Sequence, residues 1–180
     1  MVIETERLIL RPWRDHDLDA FAAMSADPEV MRHLDGPVDR GEATKIIERL
    51  KDAQVKRGHC FWAAERRDCG ELIGWCGLMA TDIPGTPIRD EVEIGWRLVR
   101  DAWRRGYARE AATAVLAWAW AATERERVLA YTVWANSASW GLMERLGMSR
   151  APELDFEHPR FPPGHSLREV IVHSIARPTL

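Results

Sequence analysis

Glu91-Val-Glu-Ile-Gly-Trp-Arg-Leu-Val99 runs directly into Arg100-Asp-Ala-Trp-Arg-Arg-Gly-Tyr-Ala-Arg-Glu110, and between them the period of the chain changes. The first stretch is rich in Ile, Val, Leu and Trp and reads as a strand. Gly106–Ala122 reads as a helix, poor in charge after its first turn and so expected to lie buried against a sheet. Val128–Trp134 is a further strand. A strand–helix–strand unit of this length fits a right-handed crossover between locally parallel strands. In such sheets a ligand tends to sit at the C-terminal end of the strand that opens the unit, here the turn 100–110.

Upstream, Arg7–Trp13 reads as a strand closed by Pro12, and Asp15 or Asp17 can cap a helix carrying Leu18, Phe21 and Ala22. Pro28 suits the first turn of a short helix, and Asp39-Arg-Gly-Glu42 resembles a relaxed capping box for a helix ended by Gly58. Cys60–Ala64 and Glu71–Ala80 are strand-like, and with Glu91–Val99 they predict an antiparallel meander. Downstream, Asn136 can cap a helix with Trp140, Met143 and Leu146 at spacing three, ended by Gly147. A Pro-rich loop, Glu157–Gly164, leads to an alternating strand Arg168–Ile175. The order predicts an α+β fold, an α/β three-layer sandwich around one mixed, mostly antiparallel sheet with helices on both faces.

The chain has 180 residues, which predicts a single domain over 1–180. Its net charge is −3, so no global basic field draws it to nucleic acid or an anionic membrane. The N-terminus lacks the basic and apolar regions of a signal peptide, and the least polar run, Ala111–Thr123, is too short for a span. Cys60, Cys69 and Cys76 are odd in number without CxxC spacing, and read as free thiols in a soluble, reducing, cytoplasmic setting. His158 and His165 flank the Pro-rich loop without a Cys or carboxylate at ligand spacing, so no metal is expected. Nine Trp against two Tyr and four Phe invert the usual aromatic balance.

At the turn, Gly106 lets the backbone approach a ligand closely, and the helix that follows begins with unpaired N–H groups. Unpaired amides and the helix dipole suit a phosphate or pyrophosphate. Arg100, Arg104, Arg105 and Arg109 against Asp101 and Glu110 add a local excess of two positive charges. The turn is neither GxGxxG nor GxxxxGK[ST], which disfavours a Rossmann dinucleotide site and a P-loop.

Glu93-Ile-Gly-Trp96, Trp103-Arg-Arg-Gly-Tyr-Ala-Arg-Glu-Ala111 and Asn136-Ser-Ala-Ser139 with Glu144-Arg-Leu-Gly-Met148 together resemble the GNAT superfamily of acyl-CoA-dependent N-acyltransferases. The nearest branch is the RimJ/RimL type, which the opening Glu6-Arg-Leu-Ile-Leu-Arg11 also matches. The resemblance implies acetyl-CoA as cosubstrate, its pyrophosphate held by the amides of Arg104, Arg105, Gly106, Tyr107, Ala108 and Arg109. Trp103 departs from the Gln or Arg common at the first motif position. Leu98 would pair its backbone with the pantetheine arm as an added strand does, and Asn136 matches a residue that bonds the pantetheine or caps the next helix.

Acyl transfer to an amine needs a neutral amine, a positioned thioester, a stabilised oxyanion and a protonated leaving thiolate. An amine with a pKa of roughly 8 to 10 is mostly charged at neutral pH, so a base or water chain must take its proton. Glu93 is the candidate base, on a strand where alternation puts Glu91, Glu93 and Gly95 on one face and Val92, Ile94 and Trp96 on the other. Many members of the superfamily use a Tyr as acid four residues before the Gly of Leu-Gly-Phe/Met, and Met143 stands there. Ser139 is the alternative group near the sulfur. A backbone N–H on the Glu93–Leu98 strand would hold the oxyanion, with a β-bulge expected there.

Trp13, His33, Trp75, Trp96 and Trp134 are candidates to line the acceptor groove together with the loop 156–165, and Trp13, His33 and Trp96 are the ones expected to contact the acceptor, a protein N-terminal amine or a small-molecule amine. The alternatives are a non-catalytic acyl-CoA-binding module, or an acyltransferase for a longer acyl group or a hydroxyl acceptor. A monomer and a homodimer both fit the sequence.

Overall fold

The computed structural model describes residues 2–179. β-Branched and aromatic runs form one nine-stranded sheet: β1 Ile3–Glu4, β2 Leu8–Arg11, β3 Phe61–Arg66, β4 Leu72–Ala80, β5 Val92–Leu98, β6 Arg127–Val133, β7 Ser149–Arg150, β8 Phe156–Glu157 and β9 Glu169–Ala176. The order is β1-β2-β3-β4-β5-β6-β9-β7, with β8 also on β9. Every pairing is antiparallel except β5 with β6. The helices are α1 Leu18–Ala26, α2 Pro28–Met31, α3 Arg40–Arg57, α4 Tyr107–Ala122 and α5 Ser137–Arg145. The mixed, mostly antiparallel sheet with its crossover is the fold class expected from the sequence.

Local chemistry accounts for the boundaries. Asp39 caps α3 by accepting from Glu42 N–H at 2.8 Å, and Gly58 ends it in the left-handed region. Asp17 does not cap α1; its carboxylate is claimed by Arg11 at 2.7 and 2.8 Å and by the Arg14 N–H at 2.7 Å. Arg11 also donates to Glu65 at 2.6 Å, so a 2%-exposed guanidinium is fully countered. Asn136 stands at the start of α5 but makes no side-chain cap; its amide donates to Thr132 Oγ1 at 3.0 Å.

The crossover helix α4 packs on β4 and β5 and reaches β1 and β2, while α1 packs on α3 and β4. Trp62 of β3 is edge-on to Trp118 of α4 with centroids 5.0 Å apart, and its indole N–H donates to Gln54 at 2.7 Å. Alternation along β6 divides two cores: Val128 and Ala130 join the main one, whereas Leu129 joins Ile88, Ala151, Leu154 and Val172, with Tyr131 packed against them.

Candidate active site

The site grows from the two ends of one register pair. Among the described residues β5 and β6 are paired only at Glu93↔Leu129, which leaves the rest of their facing edges unpaired. The β4–β5 ladder, by contrast, runs from Ala80↔Val92 to Gly74↔Leu98 without a register shift, so the expected bulge is not present on that side. The opening lies between β5 and β6 and leads to the turn before α4.

That turn is built for an anion. Gly106 is the N-cap of α4 at φ +83°, Arg104 is also left-handed at +58°, and no side chain caps the helix. Glu110 N–H is the first helical amide to find a carbonyl, Gly106 at 3.0 Å, and no bond from the N–H groups of 104–109 is present among the described residues. Arg104, Arg105 and Arg109 are exposed without an acidic partner among the described residues, whereas Arg100 pairs with Asp27 at 2.8 Å. Uncommitted amides, an α-helix N-terminus and uncountered guanidinium groups fit a pyrophosphate.

Two side chains brace the turn. The Trp103 indole donates to the Leu98 carbonyl at 2.7 Å, tying the turn to the end of β5; this is what the Trp does at the position where Gln or Arg is common. The Leu98 side chain is buried. Glu110 accepts from Thr5 Oγ1 at 2.6 Å, Arg7 N–H at 2.7 Å and Arg7 Nε at 2.6 Å, and Arg7 Nη1 donates to the Arg105 carbonyl at 2.9 Å. The same guanidinium lies 4.5 Å from the Tyr107 ring centre. These partners hold the Glu110 carboxyl below its ordinary range against the opposing effect of burial.

On the sheet face that carries Glu93, the side chains are Glu93, Gly95 and Arg97 of β5, with Trp75 of β4 opposite Arg97. Phe61 of β3 stacks on Trp75 at 4.4 Å. A Cβ on Gly95 would lie 3.0 Å from the Phe61 ring and 3.2 Å from Trp75, so only glycine leaves this aromatic deck undisturbed. Burial pushes the Glu93 carboxyl up to about 7, opposed by a hydrogen bond with Tyr131 of β6. Burial and the neighbouring Glu93 push the Tyr131 phenol well above its usual range, so it stays protonated.

From Tyr131 a chain of rings leads outward through Phe156 at 6.0 Å, His158 at 6.1 Å, Phe161 at 5.1 Å and His165 at 4.7 Å. Arg160 in this loop pairs with Asp35 of the turn after α2, and that turn also holds half-buried His33. Burial and Arg32 hold the His33 imidazole below its ordinary value. Two loops therefore meet at the Asp35–Arg160 pair.

Two of the tryptophans expected at the acceptor lie elsewhere. Trp13 is a core residue, 5% exposed, edge-on to Phe21 at 5.1 Å with its indole N–H donating to the Phe61 carbonyl at 2.7 Å. Trp96 pairs with Cys76 and packs against the main core, on the opposite face of β5 from Glu93. Met143 is 1% exposed and fills the core, and Ser139 is half-buried in the first turn of α5. Sequence reasoning selected Trp75 but did not select Arg7, Phe61, Arg97 or Tyr131. The alternation that selects Glu93 and Gly95 would have selected Arg97; the register that brings Tyr131 to Glu93 has no local signature.

A family model described as an acetyltransferase (GNAT) domain matches residues 7–149. The chain belongs to the GNAT acetyltransferase family. It is 30% identical over 151 residues to the uncharacterized N-acetyltransferase YoaA of Bacillus subtilis, covering 83% of each chain. An acetyltransferase structure from Agrobacterium tumefaciens aligns at a TM-score of 0.79 with 27% identity, covering 97% of this chain and 94% of that one. The fold also matches RimL, a ribosomal L7/L12 alpha-N-protein acetyltransferase solved in complex with coenzyme A, at a TM-score of 0.78 and 16% identity over 98% of both chains. This GNAT protein is an acetyltransferase enzyme, and among its described residues no helix is long and apolar enough to cross a membrane.

Proposed function

We propose that the protein transfers an acetyl group from acetyl-CoA to a primary amine by direct attack on the thioester. The observation that carries this reading is the junction on β5 of an uncommitted amide turn at one end and a carboxyl poised near neutrality, Glu93, at the other. Amides of Arg104, Arg105, Gly106, Tyr107, Ala108 and Arg109 would cradle the pyrophosphate. The backbone of Leu98 and the amide of Asn136 would flank the pantetheine in the opening between β5 and β6. Acetyl-CoA supplies the activated acetyl carbon.

Glu93 takes the proton of the incoming ammonium, directly or through one water, while protonated Tyr131 orients the carboxylate. An uncommitted backbone N–H of β5 faces the developing oxyanion. A thiol of pKa near 8.5 is an undemanding leaving group, so Ser139 or water suffices to relay its proton where Met143 offers no hydroxyl. His33 lines the acceptor side with the aromatic loop. Trp13 and Trp96 have no part in it. Three free thiols, two of them buried, agree with a cytoplasmic location.

The test is thiol release from acetyl-CoA over a panel of primary amines, including short peptides and small molecules. Amine-dependent release with mass-verified N-acetyl product is expected. Coenzyme A binding without release for any amine would overturn the reading.

A further inference from the structure

Arg97 has no use in the chemistry above, yet it stands on the reacting face. It is four residues along β5 from Glu93, so both side chains project from the same side of the strand. Its guanidinium carbon lies 5.1 Å from the Trp75 ring centre, so the side chain leans across β4, away from the opening between β5 and β6. Its Nε is closed off from solvent and donates to nothing. No carboxylate lies within ion-pair distance and no protein acceptor binds its outer nitrogens among the described residues. Among the other buried or half-buried arginines, Arg11 is countered by Asp17 and Glu65, Arg66 by Asp68 and Glu71, Arg150 by Asp155 and Arg168 by Glu157, while Arg177 has no carboxylate but donates to the carbonyls of Trp120, Thr123 and Arg125.

A guanidinium drawn partly out of water without a counter-ion carries a desolvation cost that a ligand's anion would offset. Burial with nothing to offset it draws Arg97 down to about 10, which still leaves it charged at neutral pH. The cofactor's phosphates are provided for at the turn by Arg104, Arg105 and Arg109, and Arg97 leans over Trp75 of β4, away from the edge of β5 that faces β6. The remaining anion is one on the acceptor.

Resting on the acetyl-transfer reading, we propose that Arg97 determines acceptor specificity by binding a carboxylate, so that the acceptor is an amine that itself carries a carboxylate. Glu93 receives the amine and Arg97 holds the acid group, with the Phe61–Trp75 deck between them. A planar fork over an indole suits a carboxylate bound through two nitrogens. Free amino acids and acidic peptides present the same chemistry, and the test separates them.

The experiment compares matched acceptors: an α-amino acid, its amide and its decarboxylated amine, and dipeptides with an acidic or an amide side chain. Thiol release is measured for wild type, Arg97→Met and Arg97→Lys, with binding of the same panel to the coenzyme A complex followed by calorimetry. Carboxylate-bearing acceptors should exceed their neutral partners by roughly ten- to a hundredfold in kcat/KM, and Arg97→Met should erase that ratio while leaving coenzyme A affinity unchanged. Preference confined to the amino acid or to the acidic dipeptide identifies the source. Equal turnover of charged and neutral acceptors overturns the Arg97 assignment and leaves acetyl transfer standing. Absence of turnover, with calorimetric discrimination that Arg97→Met removes, overturns acetyl transfer and leaves the carboxylate site standing. No discrimination in either measurement overturns the proposal.

Discussion

The two ends of β5 solve different problems with different materials. At the turn before α4 the proposed binding groups are backbone amides, and side chains such as Trp103, Arg7 and Glu110 brace them. On the face that carries Glu93 the proposed working groups are side chains drawn from β3, β4, β5, β6 and the loop after β8. Backbone recognition tolerates almost any sequence that keeps one glycine and one helix start. Side-chain recognition depends on which strands pair and in which register, and so it is where relatives of one fold can diverge in acceptor.

Glu93→Gln breaks the side-chain half alone and carries the largest expected effect. Removing the base should lower kcat on the order of a hundredfold, with coenzyme A affinity unchanged. In the wild type the rate should rise with pH through about 7, because the deprotonated carboxylate is the active form. The same shift acts on stability. The carboxyl titrates near 4.5 when exposed and about 7 when folded, so the stabilisation it confers is full below about 4.5 and is lost as pH rises through about 7. Glu93→Gln should therefore unfold with less dependence on pH across this window, and be more stable than wild type at pH 8 by on the order of 2 kcal/mol. Denaturant titrations at pH 5 and pH 8 measure it; equal differences at both values would remove the buried-carboxyl account.

Gly106→Val breaks the backbone half. Its side chain would have only the tip of Arg7 nearby, 3.3 Å from Cβ, so the damage comes from a left-handed φ of +83° that a β-branched residue resists. The amides of the turn then swing away from a common centre. Coenzyme A affinity should fall roughly tenfold or more while circular dichroism is retained, and calorimetry reads the change. Unchanged affinity would mean that the amides are not the cradle.

The same contrast governs what the sequence reveals. The crossover β5–α4–β6 is readable because a period of two gives way to a period near 3.6 at a glycine, and the turn lies within one short stretch. Glu93 is readable as a carboxylate between apolar neighbours, Val92 and Ile94. Tyr131 is not, because its approach to Glu93 depends on the register Glu93↔Leu129 across thirty-odd intervening residues. Arg97 was within reach of simple alternation, and Trp96 was ruled out by it. Trp13 misleads for a different reason: an indole needs one acceptor, and the Phe61 carbonyl supplies it inside the core. The loop 156–165 is readable as a candidate lining of the groove, but the succession of its rings is not, because it depends on the pairing of β8 with β9.

Arg7 is a side chain that serves the backbone half, and its loss should have the smallest effect. Its guanidinium holds Glu110 on α4 and the carbonyl of Arg105 in the turn, so it fixes how the amide cradle is aimed without itself supplying an amide. Arg7 is 43% exposed along its side chain, and an ion pair so open to water contributes little to global stability. Arg7→Ala should therefore raise the KM for acetyl-CoA about threefold to fivefold, with kcat and the acceptor's pH profile unmoved. Arg7→Lys can still reach Glu110, but its single ammonium cannot hold Glu110 and the Arg105 carbonyl with the geometry of a planar fork, so rescue should be partial. Glu110→Gln keeps the acceptor oxygen for Thr5 and the Arg7 amide and should fall between the two. A drop in kcat with KM unchanged would instead place Arg7 among the groups that act on the reacting face.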